Sequence, residues 1–293
     1  MIALIDLVAA IERWIPMAVK IGLARLLAFL TFWLFPRIRR NTIANMSVVL
    51  DLPPSHPRVR HLALRSVQAF AEHSADFLRT YRLTPAEVLR KTVHVEGYEN
   101  FRGFQSMGRG GIMISAHFGN WELCGCIVSL DTPTYAVAET FSSRSVTAVL
   151  DHVRAKKNMR SLQLGGAARG ILRVLRRAQF VALLADRPTP GKGVQVEFFG
   201  RLTWVPEGAA ALARRSGSPL LVGAVTRNPD WTFNCYGMPP IIVDKDKSAP
   251  EAVREAMQQV MWDLETLIRK APAQWYMFRR MWPETAVDSA GNE

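Results

Sequence analysis

The 293-residue chain is 49% hydrophobic and carries 37 Lys and Arg against 25 Asp and Glu, a formal net charge of +12. It is long and apolar enough to bury a full core, without internal repeats or low-complexity tracts, and its three cysteines are too few for a disulfide framework. The basic excess calls for an anionic partner, whether nucleic acid, anionic lipid or a phosphorylated substrate, and does not choose among them.

Residues 1–50 read as a membrane-associated segment of apolar helices and a basic turn. Ile2 to Ile11 is interrupted by Asp6, and no clear small-residue cleavage site follows, so an ordinary signal peptide is not expected. "LLAFLTFWLF" (Leu26 to Phe35) ends at Pro36 and the basic "RIRR". This stretch is too short to cross a bilayer, which needs about 20 apolar residues. A helix lying in the interface is expected instead, with Trp33 at headgroup depth and Arg37, Arg39 and Arg40 meeting lipid phosphates. "LPPSHP" (Leu52 to Pro57) breaks the chain. An α/β domain over 51–283 follows, then a tail over 284–293 expected to be disordered.

The domain opens with an amphipathic helix from about Val59 to Tyr81, in which His61 and His73 read as surface or boundary residues. A strand in "VHVEGYEN", a helix over Asn100 to Met107 and a buried strand in "GGIMISAH" come next. Then follow a helix from Trp121 to Ser129, the strand "TYAVAET", helices from Ser143 to Asn158 and Ala167 to Arg176, and the strand "FVALLAD". The remainder is the strand "VQVEFF", a helix from Glu207 to Arg215, the strands "PLLVGAV" and "WTFNCYG", and a long helix from about Pro250 to Lys270. Alternating strands and helices predict an α/β fold with a central mixed or mostly parallel sheet flanked by helices.

Sites in open α/β sheets form beyond the carboxyl ends of strands. His117 lies there after "GIMIS", Asp186 and Arg187 after "FVALLA", and Glu139 after "TYAVA". His117 is placed to act as a general base, or it is a structural histidine; the residues alone leave both open. Glu122 can hold the second ring nitrogen only if His117 precedes the first helical turn, and Gly119 makes that possible. Asn120 is a candidate cap for the helix that follows. Other chemistry is poorly supported. There is no GxSxG elbow, no HExxH, and no tight histidine spacing for zinc, so no metal is expected. "GRGG" at Gly108 precedes a strand rather than following one, unlike a dinucleotide loop, and the aromatics form no basic platform for nucleic acid. Cys124 and Cys126 read as core packing.

"HFGNWE" (His117 to Glu122) resembles the H-x4-D/E motif of the bacterial lipid A biosynthesis lauroyl and myristoyl acyltransferases and the related segment of phosphatidylinositol mannoside acyltransferases. The likeness extends through "RRNTIANM" (Arg39 to Met46), the segment beginning at Arg154, "LLADRPTPGKGVQVEFFGR" (Leu183 to Arg201), "PEGAAALARRSGSPLL" (Pro206 to Leu221) and "QWYMFRRMWP" (Gln274 to Pro283). It covers roughly residues 20 to 283.

The resemblance implies a glycerolipid-acyltransferase-like fold and a transfer of fatty acyl from acyl-carrier protein or acyl-CoA to a glycolipid hydroxyl, most directly in lipid A biosynthesis. The alternative acceptor is a phosphatidylinositol mannoside or another phospholipid; a noncatalytic membrane-binding scaffold is a further class. His117 matches the catalytic histidine and Glu122 its partner acid. Arg154 matches an arginine for phosphate or developing negative charge, Asp186 the family's aspartate, and Glu197 an acid thought to help the histidine in the mannoside branch. Arg187 stands where glutamine is usual, and it is expected to pair with Asp186 or touch substrate. Backbone N–H groups around Gly119 and Asn120 are candidates to hold the oxyanion. Implied too are an anionic membrane surface, acyl-carrier protein as a possible partner, no cofactor, and a peripheral or monotopic place on the cytoplasmic face of the inner or plasma membrane. Arg279 and Arg280, among aromatics, form either an interfacial patch or part of a segment that closes the core.

Overall fold

The computed structural model describes residues 14–80, 83–106, 108, 110–138, 144–163 and 167–282. Glu139, the stretch from Ile2 to Ile11 and the tail 284–293 lie outside the described residues.

Three helices come first: α1 (Met17–Leu34), α2 (Pro36–Leu50) and α3 (Pro57–Thr80). The run "RIRR", expected as a turn, instead lies in the opening turns of α2, because Pro36 at the start of that helix lacks only a hydrogen that no helix would use there. Asp51 ends α2 in the left-handed conformation. Ala28 and Phe32 of α1 and Met46 and Val49 of α2 are buried in the same core as the sheet. His61 is exposed, but His73 is buried, which corrects its reading as a surface residue.

The remaining elements alternate as α4 (Pro85–Arg90), β1 (Thr92–Glu96), α5 (Tyr98–Ser106), β2 (Ile112–Ser115), α6 (Trp121–Val128), β3 (Thr134–Ala138), α7 (Arg144–Ala155), β4 (Met159–Gln163), α8 (Ala167–Arg176) and β5 (Phe180–Leu184). Then come β6 (Val194–Phe198), β7 (Arg201–Val205), α9 (Gly208–Ser216), β8 (Leu220–Arg227), β9 (Phe233–Gly237) and α10 (Ala249–Lys270). Seven strands form one mixed sheet in the order β1-β9-β8-β2-β5-β3-β4. All neighbours are parallel except β8 and β9. Strands β6 and β7 form a separate antiparallel hairpin. The mixed α/β sheet expected from the sequence is therefore present, with helices on both faces.

Strand β2 sits in the middle and is buried along its whole length, as a parallel strand covered on both faces must be. Its side chains divide by the period of two. Ile112 and Ile114 join the core beneath α10, whereas Met113 joins a second cluster with Leu123, Cys124 and Ile127 of α6.

Candidate active site

Strands β2 and β5 pair in parallel with Ser115 opposite Leu184. Two residues beyond each of these partners stand His117 and Asp186, so the register itself sets them side by side. Ala185 N–H donates to the Ser115 carbonyl at 3.0 Å and carries the pairing past the strand ends. His117 Nδ1 then lies 2.8 Å from Asp186 Oδ1, and the His117 backbone N–H donates to Asp186 Oδ2 at 2.9 Å. Trp275 Nε1–H donates to the same Oδ2 at 3.1 Å.

Asp186 is completely buried. Burial by itself raises its pKa, but the His117 ring and hydrogen bonds from His117 and Trp275 outweigh that and hold the carboxyl below its ordinary value. An ionised carboxylate only accepts, so it keeps the proton on Nδ1 and leaves the lone pair on Nε2.

The expected partner was Glu122, and here the structure corrects the sequence reading. Glu122 opens α6 and pairs with Arg154 at the end of α7, with Nη2 to Oε1 at 2.6 Å and Nε to Oε2 at 3.1 Å. Arg154 Nη1 also donates to Ser161 Oγ at 3.1 Å. Burial of Arg154 lowers its pKa, but Glu122 more than compensates and raises it above the ordinary value. Arg154 is thus no solvated helix arginine: only 10% of its side chain is exposed. The physical reason lies in the helix. Once α6 begins, a carboxylate five residues past His117 turns away from the imidazole, and a guanidinium fork from α7 takes it in a bidentate pair.

Asn120 caps α6 as expected, accepting from Leu123 N–H at 3.2 Å, and its amide donates to Asp76 Oδ2 at 3.3 Å. Gly119 is required: its φ is 59°, and a Cβ there would stand 2.0 Å from the Val225 carbonyl oxygen. The same closeness removes the proposed oxyanion donors. Gly119 N–H donates to the Gln274 carbonyl and Asn120 N–H to the Val225 carbonyl, so both amides are already committed.

Asp186 and Arg187 were expected to form a pair or touch substrate; both Asp186 oxygens are engaged by His117 and Trp275, and Arg187 is half-buried. Glu197 points outward from β6. Its backbone exchanges two hydrogen bonds with Gln258 of α10, and among the described residues its carboxylate forms no bond with His117, Glu122, Arg154 or Asp186.

Sequence reasoning missed two sets of residues. The first belongs to the closing segment, which the sequence offered as core closure or interfacial patch but not as a partner of the site. It runs antiparallel to the turn after β2, with Tyr276 N–H donating to the His117 carbonyl and Phe118 bridged to Trp275. Its buried Trp275 and Trp282 settle its role as core closure, with Arg279 exposed. The second set is Trp121 and His73: the Trp121 ring lies 5.6 Å from that of His117 and 4.5 Å from that of His73, tilted against both. The aromatic content of "QWYMFRRMWP" was visible, but nothing local indicated that an indole would meet Asp186.

Beside this site lies a cleft of about 510 Å³, counting the solvent-open space at its entrance. Trp121, Glu122, Arg154 and Ser115 line its polar end, and Met113, Ala136 and Met159 its apolar body. His117 does not line the cleft itself; the Trp121 ring, which does, stands 5.6 Å from the imidazole. Ser115 Oγ is buried and has no hydrogen-bond partner among the described residues. The three free cysteines are buried, and burial pushes Cys126 and Cys235 up to about 12 and Cys124 higher still, so none is a ready nucleophile.

The phosphatidylinositol mannoside acyltransferase of Mycobacterium tuberculosis H37Rv is 25% identical, over 81% of this chain and 75% of its own. That of Mycolicibacterium smegmatis is 29% identical over 60% of this chain and 57% of its own. The lipid A biosynthesis palmitoleoyltransferase of Escherichia coli K12 is 25% identical over 67% and 63% respectively. A histidine held by a buried carboxylate beside an apolar cleft accompanies a family match that runs over residues 4–284: the chain is an acyltransferase and belongs to the bacterial lipid A biosynthesis acyltransferase family.

Proposed function

We propose that the protein transfers a fatty acyl group from acyl-CoA or acyl-carrier protein to a hydroxyl of a phosphatidylinositol mannoside-type glycolipid on a glycerolipid-acyltransferase-like scaffold, with His117 as general base and Asp186 as the group that orients it. The observation that carries this is the bond between His117 Nδ1 and wholly buried Asp186, next to an apolar cleft. The mannoside acceptor replaces lipid A as the main reading because the mycobacterial relative matches more of this chain than the Escherichia coli one does.

In this mechanism Nε2 takes the proton of the acceptor hydroxyl as its oxygen attacks the thioester carbonyl. The tetrahedral intermediate collapses with cleavage of the carbon–sulfur bond, and the imidazolium returns the proton to the departing thiolate. With the Gly119 and Asn120 amides committed, the candidate donor to the carbonyl oxygen in this mechanism is the Ser115 hydroxyl, which is buried without a partner among the described residues in a residue that lines the cleft. Arg154, fixed by Glu122, supplies positive charge at the polar end of the cleft. Arg187 and Glu197 keep no role in the chemical step.

The helix α1 begins at Met17, well before the apolar stretch that the sequence showed as too short, and so is long and apolar enough to cross a membrane by length and composition. Monotopic seating is favoured by its pairing along α3, where Arg25 Nε donates to Glu72 at 2.6 Å while Leu23, Leu26, Leu27, Leu30 and Trp33 stay exposed.

The test is acyl transfer by membrane fractions holding the wild-type or His117→Ala protein, given labelled donors and separate phosphatidylinositol mannoside and lipid A precursor pools. Mannoside labelling that falls about 10²–10⁴-fold in the variant is expected. Labelling of the lipid A pool alone would move the acceptor to the alternative, and no labelling of either by folded protein would leave a binding scaffold.

A further inference from the structure

Helix α3 carries a seam of charge that has no part in the chemical step. Arg65, Gln68, Glu72, Asp76 and Arg79 recur at steps of three and four, so they follow one side of the helix. Glu72 is its centre. Its Oε1 accepts from Arg25 Nε of α1 at 2.6 Å and stands 3.6 Å from Arg65 Nη2, while its Oε2 meets Arg227 Nη2. Among the described residues, three guanidiniums therefore share one carboxylate. One turn on, Asp76 pairs with Arg79. His73 adds no charge near neutrality, because burial first and Arg227 second lower its pKa to about 4. Four guanidinium charges thus face two carboxylates, a surplus of two positive charges.

Like charges gathered around a buried acid repel one another, and an anion at their open side relieves that. The open side is set by exposure. Arg227 keeps only 10% of its side chain in contact with solvent, whereas Arg25 keeps 50% and Arg65 30%, and these two flank the same Glu72 oxygen. Arg25 commits only Nε to protein among the described residues, which leaves its two terminal nitrogens to donate outward. Arg65 gives Nη1 to Gln68 and keeps Nε. Such a fork matches the oxygens of a phosphate. Arg25 also stands among Leu23, Leu26 and Leu27, each more than half exposed. On the membrane seating proposed above, an arginine among those leucines lifts its guanidinium to the level of the lipid phosphates. The residue after Glu72 is His73, whose ring adjoins Trp121 beside His117, so the seam runs next to the aromatic rings that flank the base.

We propose that Arg25 and Arg65 bind the phosphodiester of a phosphatidyl lipid in the bilayer and so position the acceptor for His117; that this lipid is the acceptor rests on the acyl-transfer function above. The phosphate oxygens accept from the terminal nitrogens of Arg25 and from Nε of Arg65. Glu72 stays between the two guanidiniums and keeps them oriented.

The experiment titrates the full chain in neutral maltoside micelles with dihexanoyl phosphatidylinositol, and with dihexanoyl glycerol that carries mannose in place of the phosphoinositol group. The wild type should hold the phosphodiester at least about tenfold more tightly than the neutral lipid. Arg25→Gln and Arg65→Gln should each weaken phosphatidylinositol binding about tenfold and leave the neutral lipid as it was. Arg65→Lys, which keeps the charge but loses the planar fork, should fall between. Arg254→Gln, an exposed position on α10, lowers the net charge equally and should change nothing. In transfer to a phosphatidylinositol mannoside, the two glutamine variants should raise KM more than they lower kcat. Equal weakening by Arg254→Gln would reduce the effect to general surface charge, and equal loss of both lipids would reduce it to a clamp on α1; either overturns the site. Competition by inorganic phosphate at matching concentration would put a free anion there and overturn the lipid assignment. Weakened binding with KM unmoved would mean contact with bulk lipid and overturn the positioning of the acceptor. A protein that binds phosphatidylinositol through these arginines but transfers to no acceptor overturns the transferase reading and leaves the phosphate site standing.

Discussion

Asp186 carries a charge in complete burial because three donors meet it there: the ring and backbone of His117 and the indole of Trp275. Its depressed pKa makes that charge a source of stability above the ordinary carboxylate range, lost as pH falls through the lowered folded value. Asp186→Asn should lower kcat at least about a hundredfold, because an amide no longer secures the Nδ1–H tautomer. Glu122→Gln should act differently, freeing Arg154 and raising KM more than it lowers kcat. Steady-state kinetics on the two folded variants decide this; the reverse pattern would return Glu122 to the role the motif suggested. Ser115→Ala should cost about 10²-fold in kcat with KM nearly unchanged, as removal of a carbonyl-oxygen donor does, and an unaltered kcat would strike Ser115 from the mechanism. His73 offers a test of burial. Desolvation, assisted by Arg227 and opposed by Glu122, lowers its pKa from 6.5 to about 4. Between those values the unfolded chain binds a proton that the folded one refuses, so stability falls as pH drops from 6.5 toward 4, by on the order of 3 kcal/mol. Urea midpoints measured across that window should show the slope in the wild type and a shallower one in His73→Phe.

At the scale of elements, the closing segment is extended yet buried, so its backbone depends on side chains from elsewhere. Asn45 of α2 donates to the carbonyls of Met277 and Arg279 and accepts from Met281 N–H, and Asn41 donates to the Phe278 carbonyl. Ser66 of α3 donates to the Trp275 carbonyl. Asn45→Ala leaves three backbone groups unpaired, two of them buried, and should destabilise the fold by about 2 kcal/mol, read as a lower denaturant midpoint. Glu72 of α3 is a second junction, contacting Arg25 of α1, Arg65, and Arg227 at the end of β8. Most elements were legible from apolar period and turn residues, and α8 fell where the sequence placed it. Two strands were not. β4 falls between the helices expected to end at Asn158 and to begin at Ala167, because in "MRSLQ" two adjacent polar residues, Arg160 and Ser161, break the period of two and the strand sits at a sheet edge. β7 follows the two-residue turn Phe199–Gly200, both with left-handed φ, and its signal was obscured by a bulky residue in a place that usually favours Asn or Gly.

For the molecule as a whole, a basic surface and an exposed apolar helix point to the same neighbour, an anionic bilayer. Trp33 is exposed on α1, and Arg39 lies over its ring at 5.0 Å. Removing residues 1–35 should lower recovery of the protein with membranes, and raising salt should weaken what binding remains; unchanged recovery would end the anchoring role of α1. The sequence by itself determined the α/β class, the position of His117 past a buried strand, and the family, because hydrophobic period and short motifs are local properties. Only the tertiary structure decided which acid serves the histidine. Glu122 stands five positions away, but the geometry of α6 takes it to Arg154. Asp186 stands 69 positions away and is brought to Nδ1 by the register of β2 against β5, a pairing of distant strands that no local pattern encodes.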